Sequence, residues 1–127
     1  MPDVDAFMAA VERRFPHEAL YVQAVRELAE SVMPYIAQHP KLHDQAILLR
    51  CTEPERSISF RVEWLTDRGE VAVNRGYRVM ANGALGPTKG GLRFDKSVDI
   101  ATLHFLAFEQ VRARAALARA CAAGAHA

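Results

Sequence analysis

The stretch GALGPTKGGLRFD, residues 83–95, gathers residue types that could bind an anion. Gly90 and Gly91 can take backbone angles closed to other residues, and they let a second molecule approach the main chain closely. Pro87 fixes its own φ and stiffens the entry to the turn. Lys89 is then held on a tight loop, where it can present its ammonium group beside backbone N–H groups. These residues alone leave two interpretations open: an anion-binding loop, or a surface turn with a solvated lysine.

The histidines and cysteines show no metal-site spacing. The five histidines form no HExxH pattern. His39 and His43 stand four apart, but Pro40 lies between them and argues against a shared helix face. Cys51 and Cys121 are far apart in the chain, which favours two reduced thiols in a cytosolic protein. We therefore expect no metal site.

Composition and charge exclude several classes of protein. With 127 residues, the chain is expected to form one small domain with a core of its own. The formal net charge of +1 argues against a dedicated nucleic-acid binder, which would carry a basic excess. The N-terminus lacks the apolar region of a signal peptide, and no window is apolar enough to span a membrane. We expect a cytoplasmic protein with no nucleic-acid or membrane partner.

Two amphipathic helices are predicted before residue 40. The first has Asp3 as its candidate N-cap, and apolar residues recur at helical spacing after it: Val4, Phe7, Met8 and Val11. After Pro16 a longer helix has an apolar side made of Leu20, Tyr21, Ala24, Val25, Leu28 and Val32. Pro34 and Pro40 leave the end of this second helix open.

The middle of the chain changes to a period of two, which is typical of strands. In SISFRVEWL the apolar residues Ile58, Phe60, Val62 and Trp64 alternate with polar ones. TDRGE supplies a turn in which Gly69 can take a positive φ. A second alternating run places Val71, Val73, Arg75, Tyr77 and Val79 on one face. The pattern predicts a β-hairpin, which must pack on the helices or extend into a larger sheet.

A third long helix is predicted after the glycine loop. Ser97 or Asp99 can cap it, and apolar residues surround it: Ile100, Leu103, Phe105, Leu106, Phe108 and Val111. A helix that is apolar on nearly all sides is a buried one. The last sixteen residues differ, because nine are alanine and three are arginine. Alanine favours helix, so the buried helix can run on into this tail.

The segment EPERSISFRVEWLTDRGEVAVNRGYRVMANGALGPTKGGLRFDKSVDIATLHFLAFEQ strongly resembles the N-terminal part of hexameric glutamate dehydrogenases. It is most similar to the bacterial and fungal class that usually uses NADP. The resemblance covers about residues 20 to 111, and NRGYRV, ALGPTKGGLRF and FLAFEQ match in order and spacing. It implies an α/β fold in which N-terminal helices pack on a mixed sheet that contains the hairpin. A buried helix follows the glycine-rich loop, and the family's Rossmann domain is absent from this chain.

The resemblance also implies a substrate and the residues that bind it. The family catalyses the reversible oxidative deamination of L-glutamate to 2-oxoglutarate and ammonium with NADP or NAD. Lys89 matches the lysine that binds the side-chain carboxylate of glutamate, and Gly90 lines the same pocket. Gln110 matches a glutamine that contacts the α-carboxylate. Arg93 is left open between a place in the site and a brace for the loop.

Several positions depart from the family pattern. Thr88 replaces a common aromatic residue, and His104 stands where lysine is common. The position of a second carboxylate-binding lysine is Ala113, and the catalytic lysine, aligned without gaps, falls at Ala125. We therefore predict no catalytic and no cofactor-binding residue in this chain. The predicted domains are a partial dehydrogenase N-terminal domain over 1–111 and an unrelated tail over 112–127, produced by a truncation or frameshift.

Two functional hypotheses follow. In the first, the chain is part of a glutamate dehydrogenase, inactive alone, and binds glutamate or 2-oxoglutarate weakly if at all. In the second, it is a non-catalytic oligomerisation module or decoy, which binds itself or full-length subunits. The family's hexamer makes a homo-oligomer the expected partner in both.

Overall fold

The structure is a computed structural model that describes residues 3–44, 46–84 and 86–124, with side chains through residue 112 except at 43 and 44. Its elements follow in chain order: α1 Val4–Arg14, α2 Ala19–Ala37, α3 Pro40–Asp44, α4 Ile47–Thr52, β1 Arg56–Leu65, β2 Val71–Met80 and α5 Ile100–Gly124. None of the helices within these ranges is both long enough and apolar enough to cross a membrane.

The first two helices form where the sequence predicts them. The Asp3 side chain accepts a hydrogen bond from the Asp5 N–H at 3.0 Å, which confirms the predicted N-cap. α2 passes through Pro34 and ends at Ala37. Pro34 is exposed, so the carbonyl group left without a helical partner one turn earlier can be hydrated. The proline therefore lies inside the helix without ending it.

The short helices α3 and α4 have no counterpart in the sequence prediction. They contain five and six residues, too few to show a 3.6-residue period. Tertiary packing supports them instead. Leu48 and Thr52 of α4 are buried, and the Tyr21 hydroxyl donates a hydrogen bond to the Thr52 carbonyl. Short helices depend on such contacts because helix nucleation is costly.

The predicted hairpin is confirmed, and its register decides which side chains share a face. β1 and β2 pair antiparallel along their whole length, with Phe60 opposite Gly76 and Glu63 opposite Val73. Gly69 takes a φ of 76° in the turn, as expected. Directly opposed residues lie on the same face, so the apolar row of β1 faces small and polar residues of β2. Each face of the hairpin consequently carries one apolar row, from a different strand.

The core lies among the helices, and α5 closes it. The buried apolar side chains come mainly from α1 and α2: Met8, Val11, Tyr21, Ala24, Val25, Ala29, Met33, Ile36, Leu48 and Phe108. Phe108 of α5 meets the Tyr21 ring edge-on, with the centroids 5.5 Å apart. All described side chains of α5 except Gln110 are at least partly buried, and His104 and Phe108 are the most buried of them. The helix continues past residue 111 to Gly124.

A partly buried polar network connects α5 to the hairpin. One ring nitrogen of His104, Nδ1, lies 2.8 Å from Glu18 Oε2. The other, Nε2, lies 2.9 Å from Ser57 Oγ. The His104 and Glu18 side chains are 10% and 14% exposed, so neither can exchange its partner for bulk water at low cost. The network fixes β1 and α5 relative to the start of α2.

Candidate functional site

A cleft of about 780 Å³ opens between the hairpin, the loop of residues 81–98 and the N-terminal half of α5. Lys89 and Gly90 line it from the loop, and Gln110 lines it from α5. Trp64 of β1 and Tyr77 of β2 also line it, from opposite faces of the hairpin. The tertiary structure thus brings the three predicted substrate-binding residues into one cavity, although up to 21 positions separate them in the sequence.

Gly90 and Gln110 are in direct contact. A Cβ atom added at Gly90 would lie 2.9 Å from Gln110 Oε1 and 3.1 Å from Gln110 Nε2. Both distances are shorter than ordinary van der Waals contacts, so a side chain at residue 90 would displace the glutamine amide. The neighbouring Gly91 has no atom within 4 Å of the equivalent position. Of the two glycines, only Gly90 is therefore in close contact with another side chain.

Two hydrogen bonds to the hairpin region hold the loop on the N-terminal side of Lys89, one at Gly83 and one at Thr88. The Glu55 carboxylate accepts a bond from the Gly83 N–H at 2.9 Å. Arg78 of β2 donates through Nη2 to the Thr88 carbonyl oxygen at 2.7 Å. Gly86 takes a φ of 113° between these two points, a conformation that glycine adopts without strain. The chain is thereby turned so that Lys89 enters the cleft.

Lys89 itself is exposed. Within the described ranges its ammonium group makes no hydrogen bond or ion pair, so its three N–H donors are open to a ligand. Arg93 also lines the cleft. The ion pair considered for Arg93 as a brace is not found among the residues that the structure describes.

The described lining of the cleft is strongly basic. The lining residues include one acid, Asp95, and five basic residues: Arg75, Arg78, Lys89, Arg93 and Lys96. Arg75 and Arg78 lie on opposite faces of the hairpin. The Asp95 carboxylate accepts hydrogen bonds from the Ser97 hydroxyl and N–H groups. These bonds, helped by the charge of Arg93, lower the pKa of Asp95. The net positive field would concentrate anions in the cleft.

Arg78 is not among the site residues predicted from the sequence. It lies inside the motif NRGYRV. The sequence feature that could have indicated its role is its position on the strand that leads directly into the loop. Which loop carbonyl it reaches depends on how the loop folds back over β2, and strand periodicity does not carry that information.

Some predicted features fall outside what the structure describes. Ala125 lies beyond the described residues, and the side chains of Ala113 and Cys121 are not described. Cys51 is a free thiol, and burial raises its pKa. In the described part of the chain, no three histidine, cysteine, aspartate or glutamate side chains are grouped closely enough to hold a metal ion.

Comparison with known proteins places these features in a family. An NADP-specific glutamate dehydrogenase from an unknown prokaryotic organism is 50% identical over 107 residues, which are 84% of this chain and 24% of that protein. The NAD-specific glutamate dehydrogenase of Clostridium symbiosum is 49% identical, with the same two coverages. A solved structure of a glutamate dehydrogenase superposes with a TM-score of 0.79 at 48% identity, covering 84% of this chain and 25% of its own.

The chain therefore spans about a quarter of the length of these relatives. The model of the family described as Glu/Leu/Phe/Val dehydrogenase, dimerisation domain, matches residues 54–127. That range crosses the boundary predicted near residue 111, and the boundary stays a prediction. The match includes β1, β2, the glycine loop and α5, the elements that enclose the cleft. The chain belongs to the Glu/Leu/Phe/Val dehydrogenase dimerisation-domain family.

Proposed function

We propose that this chain is the substrate-binding and assembly part of a glutamate dehydrogenase. The whole enzyme would interconvert L-glutamate with 2-oxoglutarate and ammonium, using NADP or NAD in the cytoplasm. Relatives specific for either cofactor match the chain almost equally well. Lys89 would bind the side-chain carboxylate of the substrate, beside the Gly90 backbone, and the Gln110 amide would contact the α-carboxylate.

The observation that supports this proposal is the meeting of Lys89, Gly90 and Gln110 in one basic cleft. A lysine ammonium group is a compact charge that suits a single carboxylate. The Gln110 amide offers N–H donors next to Gly90. Two anchoring points fix the orientation of a dicarboxylate, which is how an enzyme places a reacting carbon against a cofactor.

The chain alone would bind substrate without turning it over. In this proposal the hydride is exchanged with a nicotinamide that another part of the enzyme holds. The residues of this chain bind and orient the dicarboxylate, and none of them is assigned a proton-transfer role. Isolated chain should accordingly show no reduction of NAD or NADP in the presence of glutamate.

The binding proposal can be tested with the single tryptophan, because Trp64 lines the cleft. Its fluorescence would be titrated with 2-oxoglutarate and with 2-oxopentanoate, which has the same carbon chain but lacks the second carboxylate. We expect 2-oxoglutarate to bind at least tenfold more tightly, and Lys89→Met to abolish the difference. Lys41→Met removes the same charge from α3, outside the cleft, and should change nothing. Equal binding of the two ligands, or an unaffected Lys89→Met variant, would contradict the proposal.

A second function, assembly into a homo-oligomer, is supported by the apolar surface of the hairpin. Leu65 and Val71 face each other beside the turn, and they are 68% and 72% exposed. Adjacent exposed apolar side chains on one sheet face are typical of a surface that another protein covers. The dimerisation-domain description of the family agrees with a second copy as the occupant.

Sedimentation of the purified chain tests the assembly function. We expect dimers or larger oligomers at micromolar concentration, and Val71→Lys should shift the population to monomer. Gln38→Lys adds the same charge at an exposed position after α2 and should leave the oligomer intact. A wild-type chain that stays monomeric at 100-fold higher concentration would exclude this function.

A further inference from the structure

Arg78 and the peptide group that precedes Lys89 are joined by a short hydrogen bond. Arg78 Nη2 lies 2.7 Å from the Thr88 carbonyl oxygen and 3.5 Å from Thr88 Oγ1. The carbonyl contact is well within hydrogen-bond range, whereas the hydroxyl contact is at its limit. The bonded carbonyl belongs to the peptide group that connects Thr88 to Lys89, so its orientation also sets where the backbone of Lys89 begins.

The donor is attached to a rigid element. Arg78 lies on β2, opposite Ile58 of β1. The ladder of paired residues extends from the Arg56–Met80 pair to the Leu65–Val71 pair. A guanidinium group stays protonated across the accessible pH range and forms charge-assisted bonds that are stronger than neutral ones. Arg78 makes no ion pair with the carboxylates of the described residues, so its hydrogen bonding within the described chain goes to Thr88.

The loop that carries the acceptor has few other restraints after Thr88. From residue 89 to residue 94 no hydrogen bond is formed within the described ranges. The next fixed point is Asp95, which bonds to Ser97. The exposed fractions of Leu92 and Phe94, 88% and 92%, show that packing does not hold this stretch either. The Arg78–Thr88 bond is thus the restraint nearest to Lys89 on the N-terminal side.

We propose that Arg78 is a positioning residue for Lys89: it holds the Thr88 peptide group against β2 so that the ammonium group enters the cleft. This inference rests on the proposed function, in which Lys89 binds the carboxylate. It assigns Arg78 no contact with the ligand. Without the bond, the loop that carries Lys89 would sample many conformations. Ligand binding would have to restrict them, which would weaken the affinity.

The test uses the 127-residue chain labelled with ¹⁵N, in which the Gly90 and Gly91 amides report on the loop. Four variants are compared with wild type: Arg78→Met, Arg78→Lys, Thr88→Val and Arg68→Met. Thr88→Val keeps the carbonyl acceptor and loses only the hydroxyl. Arg68→Met removes one arginine from the exposed hairpin turn and matches the change in charge. Thermal unfolding verifies that each variant is folded, which we expect because Arg78 is exposed.

We expect Arg78→Met to shift the two glycine amides, to lower their heteronuclear NOE and to weaken 2-oxoglutarate binding about fivefold. Arg78→Lys keeps one cationic donor and should restore part of both signals. Thr88→Val and Arg68→Met should match wild type. An unchanged loop in Arg78→Met would overturn the inference, and so would a loosened loop with unchanged affinity.

Failure of this inference can be told apart from failure of the proposed function. If Lys89→Met abolishes the preference for 2-oxoglutarate while Arg78→Met changes neither affinity nor NOE, only the role of Arg78 is wrong. If wild-type chain shows no preference for the dicarboxylate, the proposed function is wrong and the positioning role is overturned with it. A loss of affinity in Arg78→Met with unchanged glycine amides would instead assign Arg78 to direct ligand contact and overturn positioning.

Discussion

The molecule has two halves that bury their apolar residues very differently. The helical half comprises α1, α2, α4 and the start of α5, and its core residues Met8 and Val25 are completely buried. The open half comprises β1, β2 and the loop of residues 81–98. There Val73 is 60% exposed and Phe94 is 92% exposed. One half is packed against itself, and the other presents apolar and cationic side chains outward.

The helical half provides most of the stability of the chain, and the open half provides the surfaces that can bind ligands and partners. Burial of apolar side chains is the main favourable contribution to folding, and here it lies mostly in the helical half. Large exposed apolar patches and basic clefts are typical of surfaces that take partners and ligands. The Glu18–His104–Ser57 network connects the halves, so the stable half fixes the orientation of the binding half.

The largest expected effect is a change in stability from the core of the helical half. Met8→Ala should lower the free energy of unfolding by about 3 kcal/mol, because it removes a fully buried side chain and leaves a cavity. Val73→Ala, in the open half, should cost less than about 0.5 kcal/mol. Urea denaturation followed by circular dichroism measures both. Similar losses for the two variants would mean that the open half is also covered in solution.

Breaking the Glu18–His104–Ser57 network between the halves should give the next largest loss of stability. His104→Ala leaves the Glu18 carboxylate, whose side chain is only 14% exposed, without its partner, and we expect a loss of about 2 kcal/mol. The Arg61–Glu63 ion pair of the hairpin is the control, since its side chains are 74% and 56% exposed. Arg61→Ala should cost less than about 1 kcal/mol. The same denaturation experiment shows whether the more buried Glu18–His104 contact contributes more to stability than the exposed Arg61–Glu63 pair.

Within the open half, the two adjacent glycines should respond differently. Gly90→Ala places a methyl group against the Gln110 amide, so 2-oxoglutarate affinity should fall about tenfold, or about 1.4 kcal/mol. Stability should change little, because the glutamine is exposed and can move away. Gly91→Ala meets no atom within 4 Å and should bind as wild type does. Trp64 fluorescence titration measures the 2-oxoglutarate affinity of both variants, and equal affinities would contradict a role for the Gly90–Gln110 contact in binding.

The smallest expected effect is a pH dependence at the start of α5. The Asp99 carboxylate accepts a hydrogen bond from the Thr102 N–H at 2.8 Å, and this bond lowers the pKa of Asp99. Because the folded state has the lower pKa, the contribution is complete above the unfolded pKa. It is lost as the pH falls through the folded pKa.

Asp99→Asn separates the charge from the cap. Asparagine can still cap the helix, so stability at neutral pH should be nearly retained, while the acid-dependent part should disappear. Asp99→Ala should lose both. Unfolding measured between pH 6 and pH 2.5 tests this, and a wild-type pH profile in Asp99→Asn would contradict it.

Most elements could be predicted from the sequence because their signals are local. The N-cap Asp3, the pair Ser97 and Asp99 from which the structure selects Asp99 as the cap of α5, the alternation in β1 and β2, and the positive φ of Gly69 all depend on residues close together in the chain. The short helices α3 and α4 could not be predicted, since five or six residues carry no clear period and packing against Tyr21 supports the second of them.

The sequence by itself determined the family, through three motifs in order, and the residue types of the proposed dicarboxylate site. The tertiary structure alone decided which of them meet: it placed Gln110 against Gly90, left Gly91 open and directed Arg78 to the Thr88 carbonyl. It also decided that the apolar rows of the two strands face opposite sides of the hairpin. The physical reason is that propensity and periodicity act over a few residues. Strand register and loop placement instead depend on distant parts of the chain packing together.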